Sequence, residues 1–165
     1  MSKVSTYPFW LLTFDVRDDI EEHVLEVLRA VGNATEPDPV HLDRLPAGVR
    51  SCLQDPQRMQ RDQFEPAAGT PVRLARNSFS GRRTITVEFC QHDDVFANGG
   101  WVFYLWILNL VHRPHPSKGR TAMGQYGLYR GDAASVLIWV DANGVTEGDR
   151  TWTFADIEAA LAFEE

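Results

Sequence analysis

Residues 84–90 read Thr-Ile-Thr-Val-Glu-Phe-Cys, and their alternation decides the fold class. Ile85, Val87 and Phe89 take one face of a strand while Thr84, Thr86, Glu88 and Cys90 take the other, because successive strand side chains point to opposite sides. One apolar and one polar face marks an antiparallel sheet covered on a single side. Just upstream, Val72 and Leu74 alternate with Arg73, and Ser80-Gly81 supplies a turn. The segment therefore predicts a hairpin.

Toward the C-terminus, Asn98-Gly99-Gly100 introduces residues 101–111 (WVFYLWILNLV), apolar on both faces. Aromatic and branched content with a glycine boundary favours a central strand; a buried helix is the alternative. Residues 121–130 and 134–141 read as further strands, followed by a turn at Asp141-Ala142-Asn143-Gly144. Thr153 and Asp156 form a capping box for a C-terminal helix with the stripe Phe154, Ile157 and Leu161. Glu164 and Glu165 at its end oppose the helix dipole and predict fraying.

Toward the N-terminus, residues 7–16 form a first, buried strand by their aromatic and branched content. A helix follows, with Asp18 as its cap, Glu21 completing a capping box and Ile20, Val24, Val27, Leu28 and Val31 on one face. Gly32-Asn33 ends it, since either residue takes the left-handed conformation cheaply. Pro39 suits a first helical position behind Asp38, and Pro46 then splits the rhythm of Leu42, Leu45, Val49, Cys52 and Leu53 into two short helical pieces. Residues 55–70 are polar and bounded by prolines, which predicts a long mobile loop. The expectation is one α+β domain over residues 1–165. Its antiparallel sheet has five or six strands, with the N-terminal and C-terminal helices on one face.

At 165 residues the chain is of single-domain size, and 44% hydrophobic content with 11% aromatic argues against disorder. A net charge of −7 opposes non-specific association with nucleic acid or an anionic membrane. Cys52 and Cys90 form no CxxC pair, the N-terminus lacks the apolar core of a signal peptide, and residues 101–111 are too few to span a bilayer. These features point to a cytoplasmic protein with free thiols.

No motif fixes a reaction or a cofactor: the serines lack a G-x-S-x-G frame, and no P-loop or dinucleotide fingerprint occurs. Cys90-Gln91-His92-Asp93-Asp94 gathers a thiol, an imidazole and two carboxylates, but its spacing fits no zinc pattern. A polar strand end is the plainer reading. His112 and His115 cannot share a helix face across Pro114. Cys52 lies on an apolar face as a structural thiol, whereas Cys90 sits on a polar one.

Two functional expectations follow. The first is a non-catalytic protein-binding module that captures a basic partner, in the manner of immunity proteins and antitoxins that block toxic enzymes. Its surface would use Glu21, Glu22, Glu26, Asp93 and Asp94, with Tyr126 and Tyr129 from a glycine-rich strand where another chain could approach. The second is a small-molecule-binding protein or minor enzyme. Its pocket would be walled by some of Trp10, Trp101, Trp106, Trp139 and Trp152, with an anion held by Arg76, Arg83, His92 or Arg120. The basic stretch of residues 113–120 (RPHPSKGR) belongs to that second surface. Neither reading calls for a metal or a cofactor.

Overall fold

The computed structural model describes residues 7–33, 35–54, 72–90, 101–129 and 135–162. The expected loop at residues 55–70 lies outside them, as do His92, Asp93, Asp94 and the side chains of Cys90 and Tyr129.

The centre of the fold is strand β1 (Tyr7–Asp15). Trp10, Leu12 and Phe14 are buried on one face, while Leu11 on the other is 37% exposed. β1 pairs antiparallel with two neighbours. On one side is β3 (Arg83–Cys90), where Leu12 faces Val87 and Phe14 faces Ile85. On the other is β4 (Thr121–Tyr129), where Trp10 faces Tyr126. β2 (Val72–Arg76) lies outside β3, and Asn77 closes their hairpin by accepting the Phe79 amide at 2.9 Å.

Beyond β4 come β5 (Val136–Val140), β6 (Gly144–Glu147) and β7 (Arg150–Thr153). The sheet has seven strands in the order β2-β3-β1-β4-β5-β6-β7, and every neighbouring pair is antiparallel. The count exceeds the expected five or six because the segment between the Asp141 turn and Thr153 forms two strands of four residues each. β4 shifts register between Ala122 and Gly124, the irregularity its glycines foretell.

Among the described residues, five α-helices accompany the sheet: α1 (Glu22–Gly32), α2 (Pro39–Leu42), α3 (Ala47–Gln54), α4 (Trp101–Asn109) and α5 (Phe154–Ala162). A short 3₁₀ turn spans Pro116–Lys118. α1 packs on β2, α3 and α5 flank α4, and α5 also meets β7. One continuous core joins the helices to the side of the sheet that carries Leu12, Ile85, Ile138 and Val145. The opposite side is left to solvent, with Leu137 54% exposed. Among the described residues no helix is long and apolar enough to cross a membrane.

Residues 101–109 form a helix, not the central strand expected. The segment is apolar all round because it is enclosed all round: Phe103, Tyr104, Leu105, Trp106, Ile107 and Leu108 are all buried. A helix without a polar face loses the period that would distinguish it from a buried strand.

The start of α1 also differs from expectation. Its N-cap is Glu21, with no capping bond from the side chain. Asp18 is drawn instead to Arg82 of the β2–β3 hairpin, with Nε–Oδ1 at 3.2 Å. Nor does its end turn left-handed, since Asn33 has φ −88°. Gly32 is required for a different reason: a Cβ there would lie 2.4 Å from the Val72 carbonyl oxygen. Other local signals hold. Asp38 accepts the Val40 amide at 2.9 Å, Pro46 separates α2 from α3, and Thr153 accepts the Asp156 amide at 3.0 Å.

Candidate functional site: an aromatic cleft around Glu147

The β6–β7 hairpin turns through Gly148, whose φ of 61° suits a residue without a Cβ. Its register sets Glu147 opposite Arg150 and Val145 opposite Trp152. Cross-strand partners share a face, and i, i+2 neighbours do as well. All four side chains therefore project to the side on which Val145 is fully buried, toward the helices. Trp10 and Tyr126 reach the same side from β1 and β4. The first turns of α4 bring Trp101, Tyr104 and Leu105 down from above.

These residues enclose a cleft with a cavity of about 120 Å³, lined by Trp10, Trp101, Tyr104, Leu105, Tyr126, Glu147, Arg150 and Trp152. The Trp10 ring lies 5.0 Å from that of Tyr104 and 5.2 Å from that of Tyr126, centroid to centroid. Such tilted pairs fit the quadrupoles of the rings and stiffen the wall. Glu147 is only 7% exposed, and the Tyr104 hydroxyl donates to its Oε2 at 2.6 Å.

A carboxylate this deep forfeits much of its hydration and needs compensation. The Tyr104 hydrogen bond supplies part of it. Burial first, then the charge of Glu147 and the bond donated to it, pushes the Tyr104 hydroxyl well above the usual range. Burial and Glu147 also push Tyr126 upward. Both phenols stay protonated at neutral pH, so each remains a donor. Arg150 opposes both shifts, so its positive charge is felt inside the cleft.

The other site residues expected from sequence are dispersed. Glu21 holds Arg44 at 2.7 Å, Glu26 pairs with Arg29, and Glu22 meets Arg29 at 3.1 Å and Arg83 at 3.5 Å. The acidic face of α1 and the basic β2–β3 hairpin, two separate surfaces in the sequence, touch each other. Arg76 and Arg83 lie opposite one another in β2 and β3, yet Arg76 donates to the Gly81 carbonyl while Arg83 turns to α1. Arg120 stacks over Trp139 at 4.3 Å. Of the expected partner-binding residues whose side chains are described, Tyr126 alone enters the cleft, half-buried as a wall.

Among the tryptophans, Trp10, Trp101 and Trp152 line the cleft and Trp106 belongs to the core. Sequence reasoning passed over Glu147, Arg150 and Tyr104. The first two hide in a polar turn, Thr-Glu-Gly-Asp-Arg, and the third in the stretch read as a strand. A Gly-Asp turn between Val145 and Trp152 was the available signal. No group of His, Cys, Asp and Glu among the described residues could hold a metal ion. Compared with models of protein families, with curated proteins and with solved structures, the chain matches none.

Proposed function

We propose that the protein is a binding protein for a small organic cation, held in the aromatic cleft. One observation carries the reading: a buried carboxylate, Glu147, faces a cavity walled by Trp10, Trp101, Tyr104, Tyr126 and Trp152. The face of an aromatic ring is electronegative, and a desolvated cation gains about 2 kcal/mol or more from it. Several such faces with a carboxylate at the base favour positive charge over any neutral group of the same shape. A cavity of about 120 Å³ is slightly smaller than the roughly 150 Å³ void that takes benzene. It suits an ammonium head group and is too small for a nucleotide.

A tryptophan-walled pocket belongs to the second function expected from sequence, but there it holds an anion through Arg76, Arg83, His92 or Arg120; of these, the described Arg76, Arg83 and Arg120 do not line this cleft. Capture of a basic partner by the α1 carboxylates has less support, because Glu21, Glu22 and Glu26 already hold Arg44, Arg83 and Arg29.

Thermal unfolding of the whole chain in choline chloride, against sodium chloride at equal ionic strength, tests the proposal. A ligand that binds only the folded state raises Tm by mass action. A rise of several degrees at millimolar choline, abolished in Trp152→Ala, is the expected result. An unchanged Tm across choline and tetramethylammonium up to 50 mM (roughly, the weak end of useful affinity) would overturn it.

A further inference from the structure

Resting on that reading, we infer that the ligand is a zwitterion: an alkylated ammonium seated over Glu147 and, a few bonds away, a carboxylate held at the mouth by Arg150. Arg17, Arg29, Arg44, Arg82, Arg83 and Arg113 each hold a carboxylate of the protein. Arg150 does not. Among the described residues its side chain makes no hydrogen bond or ion pair, and its guanidinium lies over the Trp152 ring at 5.9 Å. It is exposed, stands directly across the hairpin from Glu147, and lines the cleft.

The cleft thus has an acidic floor and a basic rim on one rigid hairpin. A lone cation would be attracted by Glu147 and repelled by Arg150. A lone anion would meet the reverse. A molecule with both charges satisfies both ends, and an arginine fork suits a carboxylate bidentately.

The floor also selects the kind of ammonium. A primary ammonium has three N–H donors and loses free energy for each left unmade on burial. The side-chain acceptors among the lining residues are the Glu147 carboxylate and two phenol oxygens, one of them already engaged with Glu147; the others are tryptophans, Leu105 and Arg150, none of which accepts. An ammonium whose hydrogens are replaced by methyl groups asks for no acceptors and covers the rings.

Calorimetric titration of the whole chain with glycine betaine, choline and glycine separates these claims. Glycine betaine is expected to bind at least tenfold more tightly than either of the others. Arg150→Gln, at an exposed position that leaves the fold intact, is expected to bring betaine down to the affinity of choline, with choline unchanged or tighter. Choline equalling betaine in the wild type, or a betaine-to-choline ratio untouched by Arg150→Gln, would overturn the zwitterion while leaving the cation site standing. Glycine equalling betaine would overturn the preference for an alkylated ammonium. Should none of the three bind, the cation site itself falls and this inference with it.

Discussion

Glu147 and Tyr104 illustrate how much one buried pair can demand of its surroundings. Tyr104→Phe keeps the ring and removes the bond donated to Glu147. A buried acceptor that loses its donor costs about 1–3 kcal/mol, so equilibrium urea unfolding is expected to show a loss in that range. Glu147→Gln preserves the volume and an acceptor for Tyr104 while removing the charge. Folding stability should change little, while choline affinity falls about tenfold or more, the equivalent of one desolvated charge contact.

A second residue acts through pH. His23, on α1, is 7% exposed, and burial holds its imidazole below the ordinary histidine pKa of 6.5. Arg44 and His41 push the same way, against the Glu21 carboxylate at 3.4 Å. The folded state therefore prefers the neutral ring. Its contribution is complete above pH 6.5 and is lost as pH falls from there through the lower, folded-state pKa. Urea midpoints from pH 7.5 to 5 should decline, and His23→Gln should remove the part of that decline due to this residue. A midpoint profile identical in the variant contradicts the assignment.

At the scale of elements, the strands of the first half were legible in the sequence and the cleft was not. Ile85 and Val87 of β3 are core while Thr84, Thr86 and Glu88 between and beside them are partly or fully exposed, so the alternation reports the packing directly. α4 has no such asymmetry: Phe103 to Leu108 are all buried, and its identity comes from tertiary contact with α3, α5 and the core. The hairpin β6–β7 escaped for the opposite reason. Four-residue strands hold too few side chains to establish a period, and the one that matters most, Glu147, is polar at an inward position. Asp18 shows how a local cap signal yields to a distant ion pair, here with Arg82.

Two glycines test the element packing. Gly148→Ala forces a side chain onto a backbone at φ 61°, a cost of about 1–2 kcal/mol. Because that turn aligns Glu147 with Arg150, ligand affinity should fall together with stability. Gly32→Ala drives a Cβ against the carbonyl of Val72 and should destabilise by about 1–3 kcal/mol with the cleft unaffected. Denaturant titration paired with calorimetry distinguishes the two outcomes.

Across the whole molecule, the charge of the chain gives little guide to where it acts. The net −7 evokes an acidic surface, yet the carboxylates of α1 are matched by Arg29, Arg44 and Arg83, so much of that face is internally balanced. The carboxylate with the greatest chemical consequence is buried on β6, where it meets the Tyr104 hydroxyl of α4. One continuous core ties both halves together, and the cleft shares Trp10, Tyr104 and Leu105 with it. Its rings are packed before any ligand arrives, so binding should order little and move little.

The central claim, a cation seated in that cleft, can be seen directly. A crystal of the protein soaked in tetramethylarsonium places a heavy scatterer where the ammonium would sit. An anomalous arsenic peak is expected inside the cleft, against the faces of Trp10, Trp101 or Trp152 and close to Glu147, and its loss is expected in Glu147→Gln crystals. Arsenic found only outside the cleft, or a peak of equal height in the variant, would contradict it.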